Sequence, residues 1–382
     1  MIKFCMNRFV PAVLILMPFV NSFAQTGFKP KYNNSAIYTG IEVGSKGVKL
    51  SIVEIGKDAQ AQGAFNILKD TSVNTDFISF TPATFSATLD GLQGLYNTAI
   101  KKYDMPASKI YTVISSGVKI IAEKDNKTSW INKLIDSFRL KINEPQRKVE
   151  VVSVEDEARL SHLGIVPDSR RYNTFIIDIG SGNTKGGFFP FGNIKDFKLF
   201  QLGWGTKSTA NATEKRLEDD NTLSNFNKQL YKVLAGAENS EIIYAVNASG
   251  SYPLSDNIAF SGGIAWATAT LIRPEMIDNA VISVTYDEVA KFCEKLYSNH
   301  ASLSDQALLM NIKDNTPAKL AYSKEIKRVH AVFDQRSLMA GAGLLLKIMR
   351  QFASAYETKQ FYLVKNGQVG WISAYVDKSV DK

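Results

Sequence analysis

One pattern, written twice, constrains this chain more than any other. An apolar strand ends in an acid, breaks at a Gly-Ser turn, and resumes as an apolar strand. The first copy is Ile37-Tyr-Thr-Gly40-Ile-Glu42-Val-Gly44-Ser45-Lys46-Gly47-Val-Lys49-Leu50. The second is Thr174-Phe-Ile-Ile-Asp178-Ile-Gly180-Ser181-Gly182-Asn183-Thr184-Lys185, after which Gly187-Phe-Phe189 continues the strand. Glycines in such turns let backbone N–H groups converge on an anion. The acid at each mouth is placed to hold a cation or a water beside it. A single Gly-rich hairpin is ordinary. Two copies roughly one domain apart predict two similar lobes that face each other across a cleft.

The N-terminus reads as an export signal. Lys3 and Arg8 precede the apolar run Phe9 to Val20, which is too short to span a bilayer comfortably, and Ser22-Phe23-Ala24 is a small-x-small cleavage site. Cleavage after Ala24 would leave 358 of the 382 residues, enough for two domains, and lower the net charge from +8 to +6. A modestly basic protein suits a polyanionic ligand, and is equally compatible with simple solubility. Cys5 would leave with the signal. Cys293 then has no partner, so a disulfide framework is excluded. Its helical spacing with Val289, Phe292 and Leu296 marks it as a core residue rather than a nucleophile.

Periodicity along the rest of the chain alternates between strands and helices. Residues 36–55 form the first hairpin, and residues 57–82 are mixed, with Phe77-Ile-Ser-Phe80 as a short strand candidate. Leu89, Leu92, Tyr96 and Ile100 mark a helix; Ile110 to Ile114 is a strand running into Ser115-Ser116-Gly117; Trp130, Leu134 and Phe138 line another helix; Val149 to Val152 is a strand. Ser153 opens a helix whose first turn carries Glu155, Asp156 and Glu157, where the helix dipole favours acids. After the second hairpin come strands at Phe197–Leu202, Glu241–Val246 and Ile258–Phe260, the last entering Ser261-Gly262-Gly263, and helices near 223–234, 286–298, 303–312 and 335–354. Phe361 to Ile372 reads as a hairpin on Asn366-Gly367. The order implies an α/β protein: a signal at 1–24, an N-terminal lobe at 36–150, a C-terminal lobe at 151–355 whose last helix packs back on the first lobe, and a terminal hairpin and tail at 356–382.

These motifs, in this order, resemble the exopolyphosphatase and guanosine-pentaphosphate phosphohydrolase (Ppx/GppA) family of the actin-like ATPase superfamily. The likeness runs from about residue 36 to 350. The family's first phosphate loop, Asp-x-Gly-Ser-Asn-Ser, is similar to Glu42-Val-Gly44-Ser45-Lys46-Gly47. Its Ser/Thr turn followed by a phosphate-binding Arg resembles Ser115-Ser116-Gly117-Val-Lys119, and its Glu-Glu-Ala-Arg resembles Asp156-Glu157-Ala158-Arg159. Its second loop, Asp-x-Gly-Gly-Gly-Ser-Thr-Glu, resembles Asp178 to Lys185, and a third Gly turn falls at Ser261-Gly262-Gly263. Arg336 to Gly341 resembles the start of the late helix.

The resemblance implies a fold of two actin-like (ribonuclease H-like) lobes and metal-assisted hydrolysis of a terminal phosphoanhydride. Glu157 would be the catalytic base. The phosphate would be bound by Gly44, Ser45, Lys46 and Gly47, by Ser116 and Lys119, by Gly180, Ser181, Gly182, Asn183 and Thr184, and by Gly262 and Gly263. Glu42 and Asp178 would hold Mg2+ directly or through water. Four positions depart from the family pattern: Glu42 replaces Asp, Lys119 replaces Arg and loses its bidentate fork, Asn183 replaces Ser, and Lys185 replaces Glu, reversing a charge beside the metal site.

Three functions are compatible with this pattern. The first is an exported, periplasmic or secreted bacterial phosphohydrolase acting on polyphosphate or a related phosphoanhydride. The second is a non-catalytic phosphate-ligand-binding member of the same fold, and the third a kinase of the superfamily, ranked below because exported proteins meet little ATP. No nucleic-acid partner and no stable membrane anchor are expected; a homodimer is an option the sequence leaves open.

Overall fold

The computed structural model describes residues 27–45, 47–310, 312–353, 358–365 and 367–380. The expected signal at 1–24, Cys5 and the loop residue Lys46 lie outside them. Two sheets organise the chain. The first contains β1 (Ala36–Val43), β2 (Gly47–Ile55), β3 (Phe65–Asn74), β4 (Ile110–Ile114) and β5 (Val149–Val151), in the order β3-β2-β1-β4-β5. The second contains β6 (Thr174–Ile179), β7 (Thr184–Phe188), β8 (Lys198–Leu202), β9 (Asn257–Ser261), β10 (Val281–Val284) and β11 (Gln360–Val364), in the order β10-β11-β9-β6-β7-β8. Each sheet begins with an antiparallel three-strand meander and then adds two parallel strands beside its first strand. The lobes are therefore the same topology used twice, with β10 as an extra antiparallel edge on the second.

The central strands are apolar because both faces are covered. All six residues of β6 are buried, and Phe175 packs among Phe188, Phe200 and Phe352 in the core of the second lobe. In the first lobe the helix Pro82–Tyr103 covers the sheet. It opens with a capping box at Thr81 and a proline in its first turn, and it buries Leu89, Leu92, Leu95, Tyr96 and Ala99. Cys293 packs against the second core as the sequence implies, and burial pushes its thiol up to about 12.

The joint between the lobes is built from two helices far apart in sequence, Val154–Ile165 and Gly367–Ser379. Leu160, Leu163, Trp371, Ile372, Tyr375 and Val376 form one cluster with Val53 and Ile55 of β2 and Val113 of β4. The helices cross so closely that a Cβ at Gly164 would fall 2.1 Å from the Gly370 carbonyl oxygen. Glycine at the crossing is what lets the backbones touch.

Several expectations are corrected here. The C-terminal segment is a strand and a helix, not a hairpin: β11 inserts between β9 and β10, and residues from Gly367 turn into the joint helix. Trp371, Ile372, Tyr375 and Val376 are buried at helical spacing, and that face finds a partner in the first lobe. So it is this helix that packs back across the joint. The late helix Gln335–Ala353 stays in the core of the second lobe. Glu241 to Val246 is helical, a π turn at Glu238–Ile242 continuing into Ile243–Ser249. Its β-branched residues look strand-like, but Ile242 and Val246, four apart, are the buried pair while Tyr244 is 67% exposed. Phe77–Ser79 is a 3-10 turn bracketed by left-handed Asp76 and Phe80. The expected helix at 303–312 is a 3-10 turn, His300–Leu303, followed by a short helix, Asp305–Leu309. The strands β3 and β10 and the helix Thr316–Val332 were not anticipated. Among the described residues no helix is long and apolar enough to cross a membrane.

Candidate active site

The acid ends of both hairpins meet the start of the helix Val154–Ile165. Cross-strand register sets the arrangement. On the first hairpin Glu42 lies opposite Lys49, and on the second Asp178 lies opposite Lys185. Residues paired in this way share one face of the sheet, so each hairpin presents one acid and one lysine side by side. Glu42, Asp178, Glu157 and Lys185 are all buried, at 7, 9, 2 and 7% exposure. Charges so removed from water must be paired. Lys185 Nζ lies 2.6 Å from Glu157 Oε1, and the other Glu157 oxygen, Oε2, accepts the backbone N–H of Ser116 at 2.7 Å. That N–H belongs to the first turn of the helix Ser116–Lys124, where the helix dipole favours a negative charge.

Electrostatics assign the charges. Burial alone would raise the Glu157 carboxyl, but the Lys185 ammonium and the Ser116 N–H outweigh it and hold the group below the usual range. Burial likewise works against the charged form of Lys185, yet Glu157, Asp178 and Glu42 together keep it raised and protonated. Burial dominates at Asp178 and at Glu42 and pushes both carboxyls up; the neighbouring acids add to this, and the lysines only partly offset it. Asp178 also acts electrostatically on Glu42 across the lobes. The two hairpins thus converge on one charged cluster.

The expected phosphate-binding residues divide into three groups. The N–H groups of Gly44 and Gly180 close their own turns, onto Gly47 O at 2.9 Å and Asn183 O at 3.0 Å. Among the described residues, anion contact from the loops therefore falls to those between, Ser45 on one side and Ser181, Gly182 and Asn183 on the other. A second group braces the loops. The Thr184 hydroxyl donates to Trp204 O at 2.7 Å, and the N–H groups of Thr206, Lys207 and Ser208 donate to the carbonyls of Gly180 and Ser181. Gly262, at φ +91°, lets β9 end against Asp178, since a Cβ there would lie 2.6 Å from Asp178 Oδ1. Gly263 opens the following helix beside Phe333. Lys119 forms the third group alone. It is 39% exposed and its ammonium lies 4.0 Å from Glu123 on its own helix, away from the buried cluster. On the first side, Ser45 Oγ sits near Gly117, which brings the first loop against the Ser115–Gly117 turn.

Two contributors escaped the sequence reading. Lys49 was not singled out, although its spacing of seven from Glu42 equals that of Lys185 from Asp178. Ser261, which draws the Asp178 carboxyl back down against the dominant effect of burial, was noted only as part of a Gly turn.

The donor set does not fit a divalent ion. Among the described residues no group of three or more His, Cys, Asp or Glu side chains is arranged to hold a metal. The Lys185 ammonium, paired with Glu157 and stabilised by Asp178 and Glu42, already supplies a positive charge near these acids. Two unit charges 4 Å apart interact by about 4 kcal/mol at an effective dielectric of 20, so a dication at that distance would meet about 8 kcal/mol of repulsion.

Two like α/β lobes, each offering an acid-tipped hairpin to a cleft floored by a helix-borne glutamate, define a two-lobed actin-like fold. Within that class the chain has the fold of the Ppx/GppA phosphatases. It superposes on a Ppx/GppA family member from Aquifex aeolicus with a TM-score of 0.58 at 16% identity, covering 91% of this chain and 100% of that one. The type II variant of the Aquifex aeolicus Ppx/GppA phosphatase gives 0.57 at 15% identity, over 90 and 99% of the two chains. An exopolyphosphatase from Cytophaga hutchinsonii gives 0.53 at 14% identity, over 90 and 98%. In sequence, a bifunctional 3-dehydroquinate synthase/phosphatase of Fusobacterium nucleatum is 24% identical over 209 residues, 50% of this chain and only 29% of that protein's length. No family model matches the chain.

Proposed function

We propose that this protein is an exported exopolyphosphatase-like phosphohydrolase that removes the terminal phosphate from polyphosphate or a related phosphoanhydride. The observation that carries the reading is Glu157. It is a buried carboxylate at the meeting point of the two hairpins, ionised, and fixed through one oxygen by the Ser116 N–H. In the reaction a water between the loops attacks the terminal phosphorus while Glu157 accepts its proton. The new P–O bond forms as the bridging P–O bond breaks, and the shortened chain leaves with the electron pair and is protonated from solvent. The Lys185 ammonium stabilises the negative charge that builds on the phosphoryl oxygens. In this mechanism the positive charge near Glu42 and Asp178 comes from the Lys185 ammonium, paired with Glu157, rather than from the expected Mg2+.

A specific observation favours the second reading, a phosphate-chain-binding protein without turnover. The 2.6 Å ion pair with Lys185 stabilises the Glu157 anion, and a carboxylate held below its usual pKa is a weaker base. Phosphate release from polyphosphate by the protein separates the two. In a hydrolase, Glu157→Gln keeps the shape and lowers turnover on the order of 10²–10⁴-fold while polyphosphate is still bound. A protein that binds polyphosphate but releases no phosphate is the binding module. Export is tested by the intact mass of the protein from the envelope fraction, expected to begin after Ala24; a full-length cytoplasmic product would refute it.

A further inference from the structure

We infer that the ammonium of Lys185 is the resident cation of this site, so that the protein binds a phosphate chain without a divalent metal. Three independent features lead there. Cross-strand pairing with Asp178 puts Lys185 on the same face of the sheet as the second hairpin's acid. The side chain is buried and its Nζ is 2.6 Å from Glu157. Its ammonium is stabilised by three carboxylates from three different segments, those of Glu157, Asp178 and Glu42. An ammonium paired with the Glu157 of a helix start, and stabilised electrostatically by one acid from each lobe, supplies the charge a bound dication would bring there, with the difference that it cannot leave. The charge inventory agrees. Three buried acids, Glu42, Asp178 and Glu157, face two lysines, Lys185 and Lys49, which also acts on Glu42 and Asp178. The cluster is near neutrality before any ion arrives, so the electrostatic pull that would draw Mg2+ from water and strip part of its hydration is largely used up.

The inference deepens the phosphohydrolase reading, since the ligand it concerns is the one proposed there, but the metal test stands apart from that reading. The wild-type protein is titrated with Mn2+ and free ion is followed by electron paramagnetic resonance. The expected result is no uptake of Mn2+ by the wild type, one equivalent taken up by Lys185→Glu, and loss of that equivalent in Lys185→Glu combined with Asp178→Asn. Lys185→Glu is also expected to melt at a higher temperature with Mn2+ present than without. Uptake of one Mn2+ by the wild type that Asp178→Asn abolishes would overturn the inference, and this arm needs no folded Lys185 variant. Tripolyphosphate is the second probe. Binding in EDTA, weakened at least tenfold by Lys185→Gln with Lys185→Arg retaining most of it, supports the assignment. Binding that appears only on adding Mg2+ overturns it. If tripolyphosphate binds under neither condition, the phosphohydrolase reading falls, and the Mn2+ titration still decides what occupies the cation position.

Discussion

The two hairpins begin as near copies and end as different devices. Each pairs an acid with a lysine seven residues later, across the strand. In the first, Lys49 is only half-buried and Glu42 leans back over its own turn, with Oε1 close to Gly44. In the second, Lys185 is buried and tied to Glu157. The loops differ as well. The first turn has room around Gly44. The second is gripped on its carbonyls by the start of the helix Thr206–Glu214 and on its acid by Gly262. One fold repeat therefore supplies a wall with space around Gly44, and the other a braced wall with a fixed charge. The difference arises outside the hairpins: the helix Val154–Ile165 brings Glu157 to the second, and the turns after β8 and β9 brace it.

The sharpest way to break the comparison is to remove the two lysines in turn. Lys185→Met leaves buried carboxylates without their cation and is expected to cost about 3–5 kcal/mol, whereas Lys49→Met, half-buried, should cost under about 1 kcal/mol. Urea unfolding of both variants measures this; equal losses would mean that the hairpins are energetically equivalent. The next contrast is in acid. At the base of the second hairpin, buried His162 bonds Thr174 O through Nε2 at 2.9 Å, and burial drives its pKa from 6.5 down to about 4. The unfolded chain binds that proton first, so stability falls as the pH drops from about 6.5 to about 4, by about 3 kcal/mol in all. At the base of the first hairpin, Glu54 is fully buried; burial opposes ionisation, but hydrogen bonds from Ser35, Asn66, Lys31 and Tyr32 outweigh it and lower the carboxyl. Its contribution is complete above the ordinary carboxylate range and is lost only as the pH falls through its lowered value. Unfolding curves from pH 7 to 3 should show the His162 loss first, and His162→Phe should flatten only that upper window.

Glycine substitution probes the bracing. Gly262→Ala forces an unfavourable φ and a clash with Asp178 and Ile179, and should cost about 2 kcal/mol or more. Gly44→Ala, whose nearest new contacts are ordinary at 3.4 Å, should cost under about 0.5 kcal/mol. An effect smaller than that of Gly262→Ala lies on the far side of the cleft. Arg328, stacked on Trp266 in the second lobe, reaches Asp70 of β3 in the first at 2.5 Å. The pair is partly exposed, so Arg328→Ala should cost no more than about 1 kcal/mol. Hydrogen exchange is the finer readout, with faster exchange expected along β3.

The sequence alone determined the two acid-Gly-Ser hairpins, the alternation of strands and helices around them, and the residue types at the site, because turn chemistry and apolar periodicity are local properties. Glu157 was legible through the helix start that carries it, and the reversed charge at Lys185 was visible as a departure from a pattern. Tertiary structure decided what those residues do. Whether Lys185 points into the site or out to water depends on a register and on a helix contributed from another segment. Lys119, equally basic and equally near a Gly turn in sequence, ends up pointing along its own helix toward Glu123. The C-terminal segment makes the same point on a larger scale. Its Asn-Gly pair and aromatic residues fit a hairpin locally, but β11 gains two neighbouring strands and the following helix gains the joint between the lobes. Burial of those side chains against distant segments outweighs local turn preference, and distant segments are what a reading along the chain does not contain.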